Sequence, residues 1–202
     1  EGWNTLRPEL ASRREIAQRA LRQFEQEILP GYLPTRRWFA AKGTPIEQVR
    51  IREEGSWHDW LLTRLEVQLS GGEIQHYFLP LAFAWGEESE HPGLSHGAAL
   101  CKIRRQATTG LMFDAFQDEA FVRAIVTAME QGEETAFGDA TLAFTATSAL
   151  PALVQGETAA SGVRRPASEG SNSAAIIDDR LFLKGYRRLQ EGENPEVEMG
   201  RF

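Results

Sequence analysis

The sequence predicts an α+β fold, and three observations carry that expectation. An apolar stripe at helical spacing opens the chain, alternating strands follow it, and a second helix and a late hairpin come after them. The 202 residues are 42% hydrophobic and 25% charged, ordinary for a globular protein with room for a sizeable core. A net charge of −7 and a pI near 5.2 argue against nucleic acid or an anionic membrane as partner. Cys101 is the single cysteine; it sits in an apolar run, excludes an intramolecular disulfide and suits a reducing cytoplasm. No run approaches the ~18 apolar residues of a membrane span, and no basic-then-hydrophobic leader is read at the start.

From Arg7 onward, Ile16, Ala17, Ala20, Leu21, Phe24 and Ile28 recur at helical spacing among polar Arg13, Arg14, Arg19, Gln23 and Glu27. This is a long helix with one apolar face, and Pro30-Gly31 is expected to end it. The block from Tyr32 to Lys42 gathers three aromatics and two arginines around a proline. Because aromatic side chains dominate core energetics, Trp38 and Phe39 are expected in the core, with Arg36 and Arg37 in local ion pairs.

Strands are expected over 46–52, with Val49 and Ile51 on one face, and over 61–69, where Leu61, Thr63, Leu65, Val67 and Leu69 alternate with Leu62, Arg64, Glu66 and Gln68. Ser70-Gly71-Gly72 turns the chain into a third strand over 74–84, bent or placed at an edge by Pro80. The breaker-rich stretch from Glu87 to Gly97 marks a boundary, dividing the chain into 1–88 and 89–202. His58, His76, His91 and His96 show no zinc-ligand spacing, so no metal site is expected from them.

Past the boundary, 98–104 reads as a strand and 113–129 as a helix. Phe113, Phe116, Ala120, Phe121, Ala124, Ile125 and Ala128 form its stripe, with Asp114 at its start. Asp114, Asp118 and Glu119 resemble paired carboxylates for acid–base chemistry. Acids at a helix start are more often caps that complement the dipole, and no nucleophile neighbours them. A strand is expected over 142–147, and Val163 to Arg165 is expected to pair with the closing hairpin.

That hairpin carries the candidate chemistry. Two apolar runs, Ala174 to Ile177 and Leu181 to Leu183, flank an Asp178-Asp179 turn, and Lys184 stands at the far end of the second. Ahead of the first run, Glu169-Gly170-Ser171-Asn172-Ser173 is a small-residue loop whose N–H groups and hydroxyls suit a phosphate. Asn194 as N-cap and Pro195 at the first position start a helix bearing Glu196 and Glu198. Loop, strand, turn and a strand ending in lysine are the parts of a kinase nucleotide lobe, where the lysine meets the α/β-phosphates and a glutamate of the next helix holds it. With neither G-x-G-x-x-G nor a Walker lysine, pattern alone also admits an ordinary hairpin with a snorkelling lysine.

Two blocks are more specific: residues 169–202, EGSNSAAIIDDRLFLKGYRRLQEGENPEVEMGRF, and residues 29–43, LPGYLPTRRWFAAKG. Together they resemble the N-terminal part of bacterial maltokinases, including those fused behind a trehalose synthase. The resemblance implies a cap in which one long helix packs on an antiparallel, cystatin-like sheet, followed by an α+β intermediate subdomain and part of a protein-kinase-like N-lobe. It implies transfer of the γ-phosphoryl group of ATP, with Mg2+, to the anomeric hydroxyl of maltose, giving maltose 1-phosphate for trehalose and α-glucan metabolism. In that frame Gly170, Ser171, Asn172 and Ser173 form the phosphate loop, Lys184 contacts the α/β-phosphates, and Glu198, or alternatively Glu196, holds Lys184. Ala174 stands where the family is expected to carry a small hydroxyl residue, and Gly185 where an apolar side chain is usual.

The 29–43 block is implied to lie in the cap, away from the cleft. The catalytic aspartate, the metal ligands and the sugar pocket belong to the family's C-terminal lobe. The chain is therefore expected to be the N-terminal portion of a longer enzyme and inactive alone. A competing expectation is a non-catalytic docking module for a partner such as trehalose synthase, with the aromatics of 32–39 and the leading helix as its interface. A third is the same lobe design acting on another sugar or an aminoglycoside.

Overall fold

A computed structural model describes residues 19–86, 99–151, 162–166, 170–192 and 194–196. The expected helix start near Arg7, the boundary stretch with His91 and His96, the connection over 152–161, Glu169 and Glu198 lie outside these residues.

The leading helix runs past its expected stop. Residues 19–23 are helical, Phe24–Ile28 form a π turn, α1 (Leu29–Tyr32) continues, and Leu33–Thr35 close in a 3₁₀ turn. Pro30 is tolerated because it sits in the first turn of α1, directly after the π turn in which Leu29 N–H bonds Phe24 C=O. That wider turn relieves the clash a proline ring makes in a regular helix. The stripe shifts with it: Phe24, Ile28, Leu29, Tyr32 and Leu33 are buried, whereas Leu21 is 40% exposed.

The described strands are β1 (Ile46–Trp57), β2 (Trp60–Leu69), β3 (Ile74–Phe78), β4 (Leu81–Trp85), β5 (Ala99–Arg105), β6 (Thr108–Asp114), β7 (Glu134–Phe137), β8 (Ala140–Ala143), β9 (Val163–Arg164), β10 (Ser173–Ile177), β11 (Leu181–Gly185) and β12 (Arg188–Leu189). Among the described residues, seven form one antiparallel sheet in the order β12-β3-β2-β4-β6-β5, with β1 on the other edge of β2. A three-stranded sheet, β11-β10-β9, and the hairpin β7-β8 complete the strands.

Pro80 splits the expected third strand into β3 and β4, because proline cannot donate to a ladder. Across the break Leu79 N–H bonds Thr63 C=O at 2.9 Å, and the buried Thr63 hydroxyl donates back to Leu79 C=O at 2.5 Å. The second helix, α2 (Glu119–Gln131), begins later than expected. Phe113 belongs to β6, paired with Ala82 and Ala99, and its helical spacing to Phe116 spans a strand end and the 3₁₀ turn Ala115–Gln117. Asp114 caps that turn through Phe116 N–H, and Asp118 caps α2 through Ala120 N–H.

Both faces of the large sheet are covered. One buries Val49, Leu65, Val67, Tyr77, Cys101 and Ile103 against Phe24, Ile28, Leu29 and Leu33. The other buries Leu62, Ala82, Ala84 and Phe113 against Phe121, Ile125 and Ala128 of α2. Removing this apolar surface from water is the main stabilising term. Val122, elsewhere on α2, meets Ala175 and Ile177 of the three-stranded sheet, so α2 serves both sheets. The expected boundary at 88/89 falls between β4 and β5, strands of one sheet.

Candidate functional site

The closing hairpin forms as its turn chemistry dictates. Asp178 and Asp179 take positive φ of 50° and 54°, and Arg180 N–H closes on Ile177 C=O at 3.0 Å, as in the primed turns that match strand twist. Arg123 of α2 grips Asp178 through both carboxylate oxygens at 3.0 Å, and Arg164 of β9 holds Asp179 at 2.6 Å. Those contacts fix which face looks inward. Ala175, Ile177, Leu181 and Leu183 pack toward Val122, so the register pairs Ala174 with Lys184 and Ile176 with Phe182 on the opposite face. Phe182 there is 61% exposed.

Lys184 stands directly across from Ala174, the residue that follows the 170–173 loop. Its ammonium ion-pairs with Glu196, and the Tyr186 hydroxyl donates to the same carboxylate oxygen at 2.5 Å. Asn194 accepts Glu196 N–H at 2.9 Å, the expected N-cap bond. The Glu196 bond raises the Lys184 pKa above its usual value, and the Lys184 bond lowers that of Glu196. Both groups are thus held in their charged forms. Glu198, the preferred partner from sequence, lies outside the described residues.

A second polar centre adjoins the loop. Arg187 is fully buried: Nη2 meets Asp114 Oδ2 at 2.5 Å, Nε donates to Ser173 Oγ at 2.8 Å and Nη1 to Phe78 C=O at 3.3 Å. The Phe116 and Trp38 rings lie 4.1 and 5.0 Å from its guanidinium carbon. Trp38 and Phe116 also line a small, solvent-open depression with Arg165, Gly170, Asn172, Ser173 and Ala174. The 29–43 block is therefore not remote from the loop: Trp38 reaches it because the sheet folds that block over β3.

Residues 32–118 match the family described as the maltokinase N-terminal cap domain. Over this stretch the chain is similar to a maltokinase cap domain, a part of kinases that act in carbohydrate metabolism. The cap domain runs from α1 through β6 to the start of α2, and β12 adds an edge strand to its sheet from beyond the matched residues, Arg188 pairing with Tyr77 and Leu189 with His76. Its aromatic block is core: Tyr32, Trp38 and Phe39 are buried, and Arg36 stacks over Tyr32 at 4.6 Å.

The three acids at the end of the cap domain all have structural work. Asp114 holds Arg187, Asp118 accepts Trp60 Nε1–H at 2.8 Å, and Glu119 pairs with Arg123 at 3.1 Å. Burial pushes the Cys101 thiol up to about 12, leaving it an unreactive core group. No described helix is long and apolar enough to cross a membrane. Sequence reasoning missed Arg187 and Tyr186, since nothing in Tyr186-Arg187-Arg188 marks which arginine is buried. Arginine is ordinarily a surface residue.

Proposed function

We propose that the chain is part of an ATP-dependent maltokinase, which transfers the γ-phosphoryl group of ATP to the anomeric hydroxyl of maltose and yields maltose 1-phosphate. One observation carries the reading: a maltokinase cap domain is joined to a hairpin whose lysine faces the residue after a small polar loop and is held by a carboxylate. In this reading β9, β10, β11 and the helix starting at Pro195 belong to a kinase-like N-lobe. Gly170, Ser171, Asn172 and Ser173 surround the phosphates, Lys184 neutralises the α/β-phosphates, and Glu196 or Glu198 keeps it extended.

Ammonium, hydroxyl and amide donors suit an oxygen-rich polyanion, and the exposed Phe182 beside Ile176 offers an apolar surface to the base. Among the described residues no three His, Cys, Asp or Glu side chains converge to hold a metal; magnesium would come with the nucleotide and be held by ligands outside them. In the transfer, the sugar oxygen bonds to Pγ as the bond to the bridging oxygen breaks and ADP leaves. The hydroxyl proton passes to a base outside the described residues. Lys184 stabilises charge that develops on the ADP side. A buried thiol and no disulfide fit the cytoplasm as the proposed compartment.

The test is ADP release with ATP, magnesium and maltose, using this chain within its full reading frame. Lys184→Ala is expected to lower kcat/KM by about 100-fold, the scale of losing one preorganised charge-stabilising donor, with an unchanged melting temperature. Full activity in that variant would sink the role of Lys184. If the unsubstituted protein leaves maltose unchanged but binds trehalose synthase, the docking reading replaces this one.

A further inference from the structure

The most confined charge among the described residues has no role in the reading above. The Arg187 and Asp114 side chains are 0% and 5% exposed, and a buried arginine is strongly unfavourable unless its donors are met. Here the donors divide among three parts of the fold. Nη2 goes to Asp114 at the end of β6, Nη1 to Phe78 at the end of β3, and Nε to Ser173, the last residue of the loop. The backbone takes the same route, since Phe78 N–H bonds Arg187 C=O at 2.8 Å and the next two residues form β12 against β3. An acid of the cap domain is thus joined to a serine of the loop through one guanidinium.

We infer that Arg187 is a positioning residue that clamps the 170–173 loop to the cap domain, so that the cap sets the loop's geometry for nucleotide phosphate. The nucleotide half of this rests on the maltokinase reading; the clamp does not. A small-residue loop loses backbone freedom when it wraps an anion, and a loop already anchored at Ser173 loses less, which tightens binding. Lysine cannot substitute, because only the planar fork reaches Asp114, Ser173 and Phe78 together. Trp38 and Phe116 make the cap one wall of the depression that the loop borders.

Hydrogen exchange and ATP affinity, measured on this chain within its full reading frame, test both halves with Asp114→Asn, Ser173→Ala, the double variant and Ser173→Thr. Asparagine can keep its oxygen on Phe116 N–H, which turns its NH2 toward Arg187 and so removes both the charge and the acceptor that Nη2 uses. Exchange over 170–173 is expected to quicken about tenfold in either single variant and no further in the double, while β2 and β4 keep their protection. The Kd for ATP is expected to rise about fivefold in the same variants, the reach of a typical coupling, and Ser173→Thr is expected to restore both readouts. Unchanged loop exchange in folded Asp114→Asn protein overturns the clamp, whatever ATP does. Faster exchange with unaltered ATP affinity overturns the positioning role. Faster exchange in a chain whose unsubstituted form binds no ATP supports the clamp and removes the nucleotide reading. Should Asp114→Asn fail to fold, Ser173→Ala decides alone, because it leaves the buried ion pair intact.

Discussion

A Cβ built on Gly185 would stand 2.5 Å from Cζ and 2.7 Å from Cε1 of Phe116, closer than real side chains approach. The Phe116 ring occupies the space a side chain would need, so the apolar packing beneath Lys184 comes from the cap domain and not from the strand itself. Gly185→Ala should therefore destabilise by about 1–3 kcal/mol, read as a lower urea midpoint. Combined with Phe116→Leu, it should cost clearly less than the two changes summed. Strict additivity would show that the ring is not what excludes the methyl group. Glycine at 185 is legible in sequence only as a departure from the family pattern; its cause is a ring supplied by a residue 69 positions earlier.

Among the elements, the hairpin is held at its turn by charge from two neighbours, Arg123 of α2 and Arg164 of β9. Arg123 holds the Asp178 carboxyl below its ordinary range, chiefly through their hydrogen bonds. A depressed folded pKa means that the contribution is fully present above the unfolded carboxylate value, ~3.9, and is lost as pH falls through the lower folded value. The stability gap between the native protein and Arg123→Met is expected to be constant from pH 7 to about pH 5 and to close below about pH 4. A gap that persists at pH 2 would show that Arg123 acts by packing alone. The turn itself was readable, since two aspartates between apolar runs favour positive φ. The leading helix was not readable to its end, because Pro30-Gly31 is a stop signal in a regular helix and an acceptable first turn after a π segment.

Across the whole molecule, α2 is the shared wall. It packs on the cap sheet through Phe121, Ile125 and Ala128 and on the three-stranded sheet through Val122, while Arg187 and β12 tie the same two parts by a second route. Cap and hairpin are therefore expected to unfold together. Leu62→Ala, at a side chain 1% exposed in the cap, should cost about 2–5 kcal/mol. It should also lower the exchange protection of β10 and β11 by as much as that of β2. Separate thermal transitions for residues before and after 88 would instead show two independent units.

Local order was legible in the sequence because it is written in short repeats. The period of apolar residues marked the strand over 61–69 and the stripe of α2, and turn chemistry marked the hairpin and its lysine. Resemblance in two blocks pointed to the cap domain that residues 32–118 match. Tertiary structure alone decided that Phe113 lies in a strand, that Trp38 borders the loop, and that Arg187 is buried. The physical reason is distance along the chain. Arg187 meets Asp114 across 73 positions and Phe78 across 109, and no periodicity records which remote groups the closed fold will bring to one guanidinium.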